Sequence, residues 1–347
     1  MKTIEQICEY LKMYDGRELT LMEVCGSHTA AIAKYGIKDL LSDKIRLISG
    51  PGCPVCVTPS AYIDRLIELA MTPGYVVATF GDMLRVPGSK RSLSEAKSEG
   101  ANTVMVYSPL DVIKLAGEHP DRTYVFAAVG FETTAPVYTL LIEEAVKKGL
   151  SNIRLLTSLK TMPGVIDHLL IHGASIDGFL APGHVCAITG SAYFEELAQK
   201  HSIEFAVSGF SDRELLFAIY GLVRQIEEAT HCVKNYYPSV VETQGNPVAM
   251  EKLSRYFEPC DAVWRGMGTI AGSGLRLREE YASFDAGSEG LTEDIKRNKG
   301  CCCGEILMGK KEPQDCPLFG KVCSPSSPQG ACMVSYEGSC YQRFVNS

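Results

Sequence analysis

From residue 19 to about residue 220, short unbroken apolar runs alternate with longer stretches of helical character. The runs are LTLMEVC, IRLISG, YVVATFG and NTVMVY, then YVFAAVG, IRLLTSL, GFLAPG and EFAVSG. Continuous runs of this kind suit strands buried on both faces of a parallel sheet. They end in loops bearing glycine or proline, and α/β folds place their chemistry in the loops at strand carboxyl ends. After IRLIS a helix is predicted with Thr58 as N-cap and Pro59 in its first turn. Ile63, Leu66, Ile67 and Ala70 give it an apolar face.

The pattern also repeats. IRLISGPG at 45 resembles IRLLTSLKTMPG at 153, and EVCGSHTA at 23 is in register with GFETTAP at 130. VVATFGD at 76 matches GFLAPGH at 178, and PLDVIKLA at 109 matches SDRELLFAI at 211. All four offsets lie near 100 residues. The reading is an α/β protein with two similar parallel-sheet domains, 19–125 and 126–235, whose strand-end loops face one cleft. After about residue 235 the helix-like NPVAMEKLSRYFEP leads into the loop-rich WRGMGTIAGSGLRLREEYASFDA. Residues 1–18 and 236–347 are expected to form a third, mostly helical and loop-rich domain.

The totals narrow the class. A chain of 347 residues has length for two or three domains. Net charge is −7 and no long basic run occurs, which gives no support for nucleic-acid binding. No apolar stretch approaches a membrane span. MKTIEQICEYLKMYDG has no signal-like apolar segment and reads as an amphipathic helix of a cytoplasmic protein. In a reducing compartment, 14 cysteines suggest metal or redox chemistry rather than a disulfide framework. Seven of them fall between Cys301 and Cys340.

That tail lacks the two close C-x2-C pairs of a zinc ribbon, but its spaced thiols suit either an iron–sulfur cube or another metal. Cys25 and His28, in CGSH, sit where the first strand gives way to a helix, a position that lowers a thiol pKa. Cys53 and Cys56, in GPGCPVC, have the spacing of a redox pair or of half a metal site. Glu132, Thr133 and Thr134 follow another strand; Thr134 is a plausible helix cap and Glu132 a proton carrier. PGHVC adds His184 and Cys186. Cys8, Cys232 and Cys260 stand alone and read as structural. No P-loop occurs, and GMGTIAG lacks the strand–helix context of a dinucleotide site.

MEVCGSHT, GPGCPVC, GFETTAP, PGHV and the tail motifs CGEIL, CPLFG and CMVS together resemble the HypD family of hydrogenase maturation proteins, over nearly the whole chain. The resemblance implies a scaffold on which the Fe(CN)2CO unit of [NiFe]-hydrogenase is assembled. Its implied partners are a HypC-type chaperone and HypE as cyanide donor, with HypF upstream. It further implies two similar α/β domains and a third that carries a [4Fe–4S] cluster. The family's cluster spacing lands on Cys301, Cys316, Cys323 and Cys340, and Cys303 with Cys332 matches a redox pair beside it. By the same resemblance Cys25 and Cys56 would hold Fe(II), and Cys53 with Cys56 would be a second redox pair. His28, Glu132, Thr133, Thr134 and His184 match motif residues around the cleft.

Cys302 matches no family role. The sequence departs from the family at Ala30, at Cys186 where a serine is usual, and at GFSDRE, where Asp212 and Glu214 stand for other acids. An Fe–S-dependent protein disulfide reductase and a zinc-stapled scaffold are the competing readings.

Overall fold

The computed structural model describes residues 2–346, so Met1 and Ser347 lie outside the described residues. All eight expected strands form: β1 (Leu19–Glu23), β2 (Ile45–Ser49), β3 (Tyr75–Thr79), β4 (Thr103–Met105), β5 (Thr123–Gly130), β6 (Ile153–Lys160), β7 (Gly178–Pro182) and β8 (Glu204–Ser208). Three more follow: β9 (Val233–Asn235), β10 (Phe257–Trp264) and β11 (Gly268–Leu277).

They build two sheets. One runs β2-β1-β7-β8-β9 with every pair parallel. The other runs β10-β11-β6-β5-β3-β4, parallel from β6 to β4 and closed at one edge by the antiparallel β10–β11 hairpin. The helix Ile4–Lys12 opens with a Thr3–Gln6 capping box and buries Ile7 and Leu11 in the first sheet's core, alongside Leu216 and Ile219.

Sheet membership runs across the boundary expected at 125/126. The repeat pairs β1, β2, β3 and β4 with β5, β6, β7 and β8. The order β2-β1-β7-β8 in one sheet is therefore the order β6-β5-β3-β4 in the other. Each sheet takes two strands from one repeat and two from the next. Periodicity is local: it says that a run is a strand and not which sheet receives it.

The third region also differs from expectation. Residues 1–18 pack on the first sheet, and 257–277 form a hairpin rather than helix or loop. Glycines spread through GTIAGSG hide the alternation a strand would show, while Gly266 and Gly268 supply positive φ at the turn. The expected helix is present as Pro247–Tyr256, capped by the Asn246 side chain. The helix after β2 is Ser60–Met71, with Pro59 rather than Thr58 at its N-cap. The Thr58 hydroxyl instead donates back to Pro54 O at 2.9 Å. Among the described residues no helix is long and apolar enough to cross a membrane.

Where the sheets and the tail meet lies a contiguous apolar core. It contains Val57, Met162 and Trp264 together with Cys53, Cys56, Cys302, Cys303, Cys316, Cys323, Cys332 and Cys340. Sulfurs from opposite ends of the chain are buried in one place.

Candidate functional site

β1 and β2 pair in parallel from Leu19↔Ile45 to Glu23↔Ser49, so their carboxyl ends lie side by side. Cys25 follows β1 as the N-cap of the helix Gly26–Lys34, and the GPGCPVC loop follows β2. Gly50 N–H donates to Glu23 O at 2.7 Å and Gly26 N–H to Gly52 O at 2.9 Å. The approach needs glycine: a Cβ at Gly52 would lie 2.2 Å from Cys25 N and 2.4 Å from Val24 C. Within the loop Cys53 and Cys56 are joined as a disulfide.

Cys25 corrects one expectation. The helix N-terminus is there, but burial pushes the thiol up to about 12, against the N–H groups of His28 and Ser27 and with help from Glu337 and Glu23. Glu23 is a site residue that motif reading passed over, although it stands two residues before the cysteine. It is buried, accepts Cys25 N–H at 2.9 Å and the Thr29 hydroxyl at 2.5 Å, and is raised to about 7 by burial.

Facing elements supply the other groups. β1 pairs with β7, which brings the helix Gly183–Thr189 beside Cys25. His28 is fully buried, with Nε2 3.3 and 3.1 Å from Ser208 O and Gly209 O. Two carbonyl partners assign the proton to Nε2, so Nδ1 is an acceptor, and it has no partner. Burial lowers this imidazole to about 4, so it is neutral at neutral pH. His28 and the exposed His184 both pack on the Phe210 ring.

Glu132, from the loop after β5, is buried. Its Oε1 accepts Met162 N–H at 2.8 Å and the Tyr193 hydroxyl at 3.0 Å, while Oε2 has no partner. Burial raises it to about 7. Cys186 lies within electrostatic reach of both Glu132 and Cys25. Thr134 is the N-cap residue of the helix Ala135–Lys147, but its hydroxyl makes no cap bond and lies 3.5 Å from that of Thr133.

A carboxyl raised on folding is favoured in its protonated form. Glu132 therefore adds stability below about pH 4.5 that is lost as pH rises through about 7. Glu132→Gln is expected to flatten that loss by on the order of 2 kcal/mol. Urea midpoints measured from pH 4.5 to 8 check it; parallel curves for both proteins would refute it.

In the tail, Cys301, Cys303, Cys316, Cys323, Cys332 and Cys340 line one small cavity with Ile306, Leu318, Phe319 and Met333. The sulfurs of Cys303 and Cys332 are 2.7 Å apart. Cys302 is not in that lining; its sulfur accepts from Lys311 Nζ at 3.5 Å. Among the described residues no three His, Cys, Asp or Glu side chains are gathered as a single-ion site.

The tail is docked on the helix after β1 and on the β10–β11 turn. Ser27 Oγ donates to Glu337 Oε1 at 3.0 Å. Gly266, at φ +76°, lies against Gly304, where a Cβ would meet Gly304 Cα at 2.4 Å. Arg265 N–H donates to Val57 O at 2.8 Å, and its guanidinium acts on Cys303.

The family model described as "Hydrogenase formation hypA family", named HypD, matches residues 1–346. The chain belongs to the HypD family. It is 44% identical over 334 residues to hydrogenase maturation factor HypD of Azotobacter vinelandii, covering 93% of this chain and 88% of that one. The HypD protein of Rhizobium leguminosarum bv. viciae is 42% identical over 335 residues, covering 93% and 87%. That of Cupriavidus necator is 40% identical over 336 residues, covering 94% and 89%. The disulfide-reductase reading finds no support in these relatives.

Proposed function

We propose that this hydrogenase maturation factor is an iron-binding thiol scaffold on which the Fe(CN)2CO unit of [NiFe]-hydrogenase is put together. The observation that carries the reading is that the Cys53–Cys56 disulfide and the tail cysteines share one core, with Cys25 held against the disulfide loop at Gly52 and two buried polar atoms, His28 Nδ1 and Glu132 Oε2, without partners. Fe(II) is the cargo. Reduction of the disulfide by two electrons and two protons yields two thiols, and Cys56 then joins Cys25 as a soft donor for an iron that takes cyanide and carbon monoxide. His28 Nδ1, an acceptor, and the protonated Glu132, a donor, bracket the place where small ligands and their protons would be handled.

The tail cysteines would hold a [4Fe–4S] cluster. A cube spreads its four thiolates over separate corners, and Cys301, Cys316, Cys323 and Cys340 all line one apolar pocket. Such a cluster would supply electrons one at a time. Cys303 and Cys332, already in sulfur contact, would interconvert between dithiol and disulfide. A HypC-type chaperone would complete the iron's ligands. HypE, charged through HypF, would bring cyanide, and the assembly would work in the cytoplasm.

Infrared spectra of the protein purified anaerobically with its small chaperone test the reading. Bands of iron-bound cyanide and carbon monoxide are expected. A complex that carries zinc and shows neither band would overturn it.

A further inference from the structure

Glu132 is only 2% exposed, and its two carboxyl oxygens have unequal surroundings. Oε1 accepts both the Met162 N–H and the Tyr193 hydroxyl, while Oε2 has no partner. The Met162 N–H belongs to the first residue of the helix Met162–Ile171 and cannot turn away. The phenol is held as firmly. Tyr193 lies in the 3-10 helix Ser191–Phe194, and two hydrogen bonds tie that segment to the chain at 242–243. Ser191 N–H donates to Glu242 O at 3.0 Å and Ala192 N–H to Thr243 O at 3.2 Å. Gly190, at φ +88°, permits this approach, since a Cβ there would lie 2.2 Å from Thr243 O. The Tyr193 ring also packs edge-on against Phe194, with 5.4 Å between centres.

A protonated carboxyl has one hydroxyl oxygen and one carbonyl oxygen, and the carbonyl keeps the greater capacity to accept. The oxygen that accepts two hydrogen bonds is therefore the carbonyl, and the proton falls to the other. Burial, with Glu132 itself, pushes the Tyr193 phenol well above its ordinary value, so it stays an O–H donor when Glu132 ionises. Cys186, the other titratable group that faces this carboxyl, is also pushed up by burial and remains a neutral thiol.

We propose that Tyr193 is the positioning residue of Glu132: by donating to Oε1 it fixes the acid proton on Oε2, the oxygen left free. Glu132 thereby offers a small ligand a single O–H donor of set direction. A hydrogen bond given to a carboxyl also favours its ionised form, so Tyr193 and the Met162 N–H work against burial. The use of this donor on the ligands of an iron rests on the function proposed above; the placement of the proton does not.

Infrared difference spectra of the full chain between pH 5 and pH 9 test the placement, with Glu132→Gln to identify the Glu132 band. In the parent, the C=O stretch is expected below that of a carboxylic acid without hydrogen bonds, and to vanish as pH rises through about 7. Tyr193→Phe keeps the ring on Phe194 and removes only the hydroxyl. Its band should move to higher frequency, because the carbonyl loses one of two hydrogen bonds, and should vanish at higher pH than in the parent. A proton carried on Oε1 and donated to Tyr193 gives the opposite result for pH, because the variant then loses a bond made by the acid form. A parent band at the frequency of a free carboxylic acid overturns the proposal, as does a midpoint that falls or stays unchanged in Tyr193→Phe. The measurement needs no iron, so a complex without bands of iron-bound cyanide and carbon monoxide would count against the scaffold alone.

Discussion

Gly52→Ala is expected to destabilise the protein by about 3 kcal/mol or more, by forcing apart two strand ends that have no room to give. The added methyl would run into the Val24–Cys25 backbone, at Val24 C, Cys25 N and Cys25 Cα, all within 2.5 Å. A side chain in the way can rotate, but a strand end held by the hydrogen bonds of Gly50 and Gly26 cannot. The same substitution at Gly117 serves as the control. That glycine lies in the helix Asp111–Glu118 with nothing within 4 Å of a new Cβ, and alanine there should stabilise by up to about 1 kcal/mol. Guanidinium unfolding of both variants checks the contrast. Equal midpoints for Gly52→Ala and the parent would show that the loop is slack, and the tight cleft argued above would fall with it.

On the function proposed above, Cys25→Ala is expected to abolish iron binding at the strand-end loops and to leave the proposed tail cluster as it was. Iron analysis of anaerobically reconstituted protein should fall from about five to about four atoms per chain, with the cube's absorption unchanged. The reason is separation: Cys25 caps a helix on the first sheet, whereas Cys301, Cys316, Cys323 and Cys340 line their own cavity. Small local change is anticipated, since alanine keeps the Cβ and removes one buried sulfur. Loss of all the iron together would argue for a single site. Undiminished iron would remove Cys25 from the ligand set.

Much of this was legible before any coordinates. Eight strands announced themselves because strands covered on both faces must be apolar throughout, and the repeat marked which of them correspond. The spacing of Cys53 and Cys56 allowed a redox pair, whereas Cys303 with Cys332 came only from the family resemblance. Other features left no local trace. The exchange of strands between sheets is decided by which edges meet in space. The β10–β11 hairpin is masked by its glycines, and the importance of Glu23 arises only where it is buried against Cys25 N–H and the Thr29 hydroxyl. Of the neighbours Cys301 and Cys302, the family spacing selects the first; the cavity is lined by Cys301, while the Cys302 sulfur faces Lys311.

The exchange of strands also governs how the chain can be made. β1 and β2 emerge early from the ribosome, yet their sheet is finished by β7, β8 and β9, which follow more than a hundred residues later. Until then β1 has an open edge and the cysteine loops beside it are bare. A fragment ending near residue 125 should therefore be sticky and prone to scrambled disulfides, and no cut in the chain yields two halves that fold alone.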